Sequence, residues 1–316
     1  MQNLHLNTLE LNVRNFLANM KKYLFSCLML FTLAANAQIG LMNQYHFNYL
    51  ALNPALAGEN GPFTIKGIVG NQFNGNLRFN QLSHVLVLDG QLYNKTGLAF
   101  QSSSDNYGNA SGNNFGLSLA KGVEMGDFRL KGGVNAGLAI LPAYIASSRP
   151  RTSFNAGLGI FMSYNGAFLG VSKPSLYVSE NDLTVKGPFY VNGGYASGDE
   201  NFVSYNANVV WSGMDGQNNF DFNLKLWFNK RLALTGSYRI NKIFDYYTKD
   251  KSFLPAAEYK FTEDLTLGLA YNTNTLRYST APITGNPNFR MNGIFQFYLK
   301  YNHRDRSGDS WYYNRF

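Results

Sequence analysis

Cysteine occurs once in the 316-residue chain, at Cys27, so neither an intrachain disulfide nor a cysteine-built metal centre is available. Charge is scarce as well. Asp, Glu, Lys and Arg make up 15% of the residues, where a soluble domain carries roughly 25%. The surplus is basic, a formal +8, but its lysines and arginines stand singly instead of clustering, which argues against nucleic acid as a partner. Beyond the N-terminal region no apolar run approaches the ~18 or more residues that a membrane helix requires. What the chain does have is aromatic side chains, 16% of the total, and 31 glycines. An exported chain that is aromatic, weakly charged and without a helical span has one common way to enter a membrane, a closed β-barrel.

Export is read from the N-terminus. Met20-Lys21-Lys22, the apolar run Tyr23 to Leu33 and Ala35-Asn36-Ala37 give a basic n-region, a hydrophobic core and an A-x-A cleavage site. The expectation is a secretory signal cut after Ala37, with residues 1–19 an over-extended start, so that 1–37 is lost. Cys27 goes with it. A lipid-modified cysteine would end the apolar run, whereas Leu28 to Leu33 continue it. The removed part holds Arg14, Lys21 and Lys22 against Glu10, a net +2, which leaves 8 − 2 = +6 on the mature chain.

The remainder alternates. From Phe220 to Phe228 and from Leu232 to Ile240, apolar and polar residues follow each other with period two on either side of Asn229-Lys230-Arg231. This is a β-hairpin with one apolar and one polar face. Fourteen such segments follow residue 60, from Phe63 to Gly70 through Asn292 to Tyr301, an even number as bacterial outer-membrane barrels have. Connections after even-numbered segments are short, such as Glu124 to Asp127 and Ser163 to Gly166. Those after odd-numbered segments are mostly longer, including Ser103 to Asn113, Lys173 to Gly187, Asn241 to Ser252 and Asn272 to Met291. Short periplasmic turns alternating with long external loops are the barrel pattern; a soluble periplasmic sandwich would not sort loops by parity. Aromatics near segment ends (Phe100, Trp211, Trp227, Phe228, Tyr238, Tyr271, Tyr301) suit interfacial girdles. Val85-Leu86-Val87-Leu88 is apolar on both faces, so its inward half needs an apolar partner in the lumen. Glycines inside strands, Gly132, Gly133, Gly157, Gly159, Gly193 and Gly194, mark bends or close backbone approach.

The expected fold is therefore all-β: a 14-stranded antiparallel transmembrane β-barrel of the outer membrane with a short N-terminal plug-like segment. The divisions are 1–37 removed, 38–61 plug or periplasmic segment, 62–302 barrel, and 303–316 a polar periplasmic tail. Polar residues on inward positions, Asp221, Asn223 and Lys225 on one strand and Thr235, Ser237 and Arg239 on the next, are expected to satisfy one another inside.

Between the leader and the first strand stands Gln44, Tyr45, Phe47, Asn48, then Asn53, Pro54, Ala55, Ala57 and Gly58. This resembles the opening of the PorP/SprF family of type IX secretion membrane proteins, Gln-Tyr-x-Phe-Asn-x(4)-Asn-Pro-Ala-x-Ala-Gly. Further similarity lies in Gly170-Val171-Ser172-Lys173-Pro174, in Phe189 to Tyr195 and in Leu265 to Asn272. Two departures stand out: Gly70-Asn71-Gln72-Phe73 replaces the family's Arg-x-Gln-Trp, and Asn292-Gly293-Ile294-Phe295 replaces its Gly-Ser/Asn-His-Glu. The resemblance implies an outer-membrane component of the type IX secretion or gliding apparatus of Gram-negative bacteria. Its partners would be that machinery and a cognate surface adhesin or cargo with a C-terminal sorting domain. The alternative is a transport channel for small or hydrophobic solutes, resembling the long-chain fatty-acid channel family, whose barrels also carry a plug with an Asn-Pro-Ala element.

Chemistry is not expected. His46, His84 and His303 are scattered without ligand spacing, there is no Gly-x-Ser-x-Gly elbow or phosphate loop, and His303-Arg304-Asp305 lacks a kinase context. No cofactor, metal or enzymatic activity is predicted, and no nucleic-acid partner; membrane lipid is. Loop aromatics Phe244, Tyr246, Tyr247, Tyr278 and Phe289 are the candidate anchors for a protein partner.

Overall fold

The structure, a computed structural model, describes residues 47–71, 81–92, 94–107, 110–141, 151–179, 187–198, 202–214, 216–240, 251–273 and 294–303. Fourteen strands follow in order: β1 (Phe63–Asn71), β2 (Gln81–Gln91), β3 (Thr96–Tyr107), β4 (Ala110–Met125), β5 (Phe128–Leu141), β6 (Arg151–Tyr164) and β7 (Ala167–Val178). The second half is β8 (Phe189–Ala196), β9 (Val203–Met214), β10 (Gln217–Phe228), β11 (Leu232–Ile240), β12 (Lys251–Lys260), β13 (Leu265–Asn272) and β14 (Ile294–His303). Every strand pairs antiparallel with its chain neighbours. The ring closes where β14 meets β1, from Phe63 opposite His303 to Asn71 opposite Phe295.

Period two sets which way each side chain faces. On β14, Phe295, Phe297, Leu299 and Tyr301 point out and are exposed, while Gln296, Tyr298, Lys300 and Asn302 point in and are buried. The same phase runs around the ring: Leu117 and Leu119, Val134, Leu158 and Ile160, Phe222 and Leu224, and Leu234 all lie exposed on the outer face. An apolar belt this continuous has no aqueous solvent to face and is the surface a barrel presents to lipid.

Turn chemistry fixes the registers at one end. Asn165 and Gly166 take φ of 47° and 87° between Tyr164 and Ala167, the left-handed pair that a two-residue hairpin demands. Asn229 and Lys230 (φ 47° and 56°) form a left-handed pair within the three-residue turn between the paired Phe228 and Leu232, closed by Arg231 N–H donating to the Phe228 carbonyl.

Several strands outrun the sequence reading. Ser103 to Asn113 is mostly strand, since β3 and β4 stay paired to Tyr107 opposite Ala110. Polar residues there continue the ladder past the apolar belt, where both faces tolerate water. The connection between β9 and β10 is also tight, with Met214 opposite Gln217, so not every odd-numbered connection is long. Residues Lys173 to Val178, read as loop, belong to β7. This stretch pairs with β6 across a bulge, while pairing with β8 stops at Ser172 opposite Tyr190. Pro174 therefore sits where the β8 side asks for no N–H donor. Pro255 finds the same solution: it faces Gly236 on β11, and the β13 ladder begins only at Ala256.

Candidate functional site

The lumen holds the chain's own N-terminal segment. Residues 47–62 fold into two short 3-10 turns, Tyr49–Ala51 and Pro54–Leu56, and Phe47, Asn48, Leu50, Leu52 and the run Asn53 to Asn60 are buried. The Asn53 carboxamide caps the second turn by accepting from Ala55 N–H at 3.0 Å, and Pro54 occupies the first helical position, where no donor is needed. The local sequence thus supplies its own cap for this turn.

The barrel accommodates this turn by omitting side chains. A Cβ on Gly133 would strike the backbone of Pro54 and Ala55, one on Gly97 the carbonyl of Ala57, and one on Gly159 the Asn53 side chain. Backbone meets backbone across this groove. Gly157 serves the β7 bulge instead, against the Pro174 carbonyl, and Gly132 faces outward with open space beside it.

Polar anchors then tie the segment to strands all around the ring. Asn53 Nδ2 donates to the Ile160 carbonyl at 2.9 Å, Ser172 Oγ to the Leu52 carbonyl at 2.5 Å, and Asn48 Nδ2 to Gln101 Oε1 at 3.0 Å. Asn208 Nδ2 donates to the Tyr49 hydroxyl at 3.1 Å. Burial pushes that phenol up to about 12, against the lowering effect of the Asn208 bond, so it stays protonated at physiological pH. Toward the end with the short turns, Glu59 takes Lys131 at 2.6 Å and Arg129 at 2.9 Å. Asp89 accepts from Gly58 N–H at 2.5 Å and Asn60 Nδ2 at 2.9 Å. Apolar contacts complete the seal: Phe47 stacks on Tyr298 with centroids 4.5 Å apart, and Phe47, Leu50 and Ala57 cluster with Ile68, Val85 and Val87. This is the apolar partner that the two-faced β2 run required.

Several polar side chains of the lumen wall pair with one another beyond the segment. Arg239 clamps Asp221 through Nε at 2.6 Å and Nη2 at 3.1 Å, Asn223 donates to Asn208 at 2.8 Å, and Lys225 pairs with Glu258 at 2.5 Å. Trp227, expected in a girdle, faces inward instead, since it shares the phase of Lys225; Lys225 and Lys260 Nζ lie 5.0 and 5.4 Å from its ring centroid. A second space, about 610 Å³, opens at the seam where β7 parts from β8, lined in part by Lys173, Leu176, Tyr177, Trp211 and Met214.

A plugged fourteen-strand barrel with this N-terminal motif matches one family model, type IX secretion system membrane protein PorP/SprF, over residues 34–289. The chain belongs to that family. It is an outer-membrane β-barrel of the type IX secretion system, associated with the secretion machinery. Among solved structures, the CymD monoaromatic hydrocarbon channel is similar with a TM-score of 0.54 at 9% identity, over 86% of this chain and 95% of that one. The outer membrane protein Omp33 of Acinetobacter baumannii gives 0.49 at 10% identity, over 77% and 98%. At such identities the likeness is one of fold. No curated protein sequence matches.

Of the family-motif residues, Phe47, Asn48, Asn53, Pro54, Ala55 and Gly58 come together in the lumen; Gln44 and Tyr45 lie outside the described residues. The loop aromatics Phe244, Tyr246, Tyr247, Tyr278 and Phe289 also lie outside them. Sequence reasoning missed Glu59, Asp89 and Lys131 as anchors. A signal existed for Asp89, a lone carboxylate in phase with the inward Val85 and Val87.

Proposed function

We propose that this protein is a non-enzymatic scaffold that binds a cognate secreted surface protein, an adhesin or cargo with a C-terminal sorting domain, and helps to secrete or anchor it at the cell surface. The external loops would hold that partner, and the periplasmic, short-turn end would engage the secretion or gliding machinery. The supporting observation is the occupied lumen. A barrel whose bore is filled by its own segment, with Asn53 and Ala55 wholly buried, is better suited to holding a protein at its rim than to conducting solute through its axis.

Copurification from native membranes in mild detergent tests this reading. A large surface protein recovered with the barrel, and mislocalised when the barrel is deleted, is the expected result. The channel reading draws on one feature, the 610 Å³ space at the β7–β8 seam. It predicts bound lipid or single-channel currents and no protein partner, and that combination would replace the scaffold reading.

A further inference from the structure

One charge on the outer face stands in the middle of the apolar belt. Lys173 on β7 lies opposite Leu158 on β6, which lies opposite Val134 on β5, and Leu158 and Val134 are exposed on the lipid-facing side. Lys173 therefore holds an outward position. It stands six residues beyond Ala167 at the short turn, roughly 20 Å along a tilted strand and inside a band ~25 Å tall. A cation at such a depth is destabilising unless its head reaches an anion or the interface. Two other outward lysines lie near strand ends. Lys251 opens β12, and Lys121, opposite Thr96 at the start of β3, donates to the Asn94 carbonyl at 2.5 Å. Lys173 has no ion pair and no side-chain hydrogen bond among the described residues.

The wall parts at this residue. Pairing with β8 ends one position earlier, at Ser172 opposite Tyr190, and β7 runs on to Val178 paired with β6 alone among the described strands. The space at that seam is lined in part by Lys173, Leu176, Tyr177 and Trp211. Leu176 and Tyr177 are exposed. Trp211 faces outward opposite Phe220, and its indole lies over Gly213, where a Cβ would come within 2.8 Å of the ring. The indole N–H has no acceptor among the described residues. A cation, an indole donor and apolar side chains thus border one cleft on the membrane side of the wall.

From this we infer that the seam binds a membrane lipid with a net negative headgroup, the head meeting Lys173 and the Trp211 N–H and an acyl chain lying against Leu176 and Tyr177. A water-borne anion leaves the apolar lining unused, and a neutral lipid leaves the ammonium uncompensated. Tryptophan suits the boundary between head and chain, where its ring is apolar and its N–H polar. A protein strand added to the free edge of β7 fits less well, because Pro174 interrupts that edge with a residue that has no N–H to donate. The lipid is a ligand of the wall beside a filled lumen. It is compatible with a copurifying protein and does not rest on the scaffold reading.

The experiment uses the full-length protein with Trp227→Phe and Trp311→Phe, which leave Trp211 as its one indole, in phosphatidylcholine vesicles. Brominated phosphatidylglycerol, which is anionic, or brominated phosphatidylcholine, which is zwitterionic, is added at equal mole fraction, and bromine quenches an indole that it touches. Relative association at Trp211 is expected to favour the anionic lipid about fivefold, the scale of one lysine acting on an anionic lipid. Lys173→Arg should keep that preference and Lys173→Gln should reduce it to parity, while the turn variant Lys230→Gln leaves it unchanged. Parity in the parent, or a preference that persists in Lys173→Gln, overturns the site. A benzophenone side chain at position 177 that captures a protein instead of lipid in intact cells overturns it as well and assigns the cleft to a protein. Should the tryptophan changes prevent folding, judged by the heat-dependent gel shift, the same lysine variants are compared with all indoles present by native mass spectrometry of retained phosphatidylglycerol.

Discussion

Adding one methyl group at Gly133 is a sharp test of how the lumen is filled. A Cβ there meets the backbone of Pro54 and Ala55, and no side chain can rotate aside. Overpacking of this kind costs about 1–3 kcal/mol. Ejecting the segment would cost more, because Glu59 would leave Lys131 and Arg129 and Asp89 would lose both of its donors. Breaking one buried pair alone costs about 3–5 kcal/mol. The clash should therefore be absorbed locally, by a small shift of the Asn53–Leu56 turn. Gly133→Ala is expected to lower the urea-unfolding free energy in lipid vesicles by about 1–3 kcal/mol and to leave planar-bilayer conductance at baseline. Deleting residues 47–60, which removes the whole buried segment, should produce steady ion currents. Currents from Gly133→Ala equal to those of the deletion would refute the anchoring argument. A silent deletion would show that side chains of the wall close the bore by themselves.

Other outcomes follow from the same contacts. Arg239→Met strands the buried Asp221 and should cost about 3–5 kcal/mol, while adding Asp221→Asn should restore most of that, measured by the same unfolding assay. Glu59→Gln removes the carboxylate between Lys131 and Arg129 and should destabilise by about 2–4 kcal/mol, with residues 57–60 becoming open to protease. Leu224→Arg places a charge on the outer face opposite Gly236 near mid-strand; a cost of about 2–4 kcal/mol is expected, seen as a reduced yield of folded barrel in the outer-membrane fraction. Tyr49→Phe removes the hydroxyl that accepts from Asn208 and should cost about 1 kcal/mol or more in the same unfolding assay.

The barrel was legible because its cause is local and repeated. Alternation along Phe220 to Ile240 fixes two strands, their facing and their turn without reference to anything distant, and the same period returns around the ring. Strand ends were harder to read. Ser102 to Asp105 carry no apolar alternation, yet they continue the ladder because β3 and β4 are already in register below them. Lys173 to Val178 looks like loop because of Pro174, and becomes strand only because β8 withdraws from that side. Trp227 shows the reverse error, an aromatic placed by its residue type when its phase with Asp221, Asn223 and Lys225 was the better guide. The lumen anchors were least visible: Glu59 and Lys131 are 72 positions apart, and no spacing rule joins them.

The glycines and the Asn53-Pro54-Ala55 element explain each other. Taken alone, Gly97, Gly133 and Gly159 weaken their strands, since each removes packing area and adds backbone freedom. Taken alone, the Asn-Pro-Ala turn is a short polar break in an otherwise apolar stretch. Together they form a contact that works only if both sides lack bulk, with Ala55 held against Gly133 and the Asn53 carboxamide seated at Gly159 while it bonds Ala55 and Ile160. This pairing also separates two uses of the motif. A docking peptide must offer its side chains to a partner, but Asn53, Pro54, Ala55 and Gly58 are spent on the barrel's own inner wall. With the segment seated, the motif's polar groups are engaged by the strands that surround it, which is what a role in filling the lumen requires.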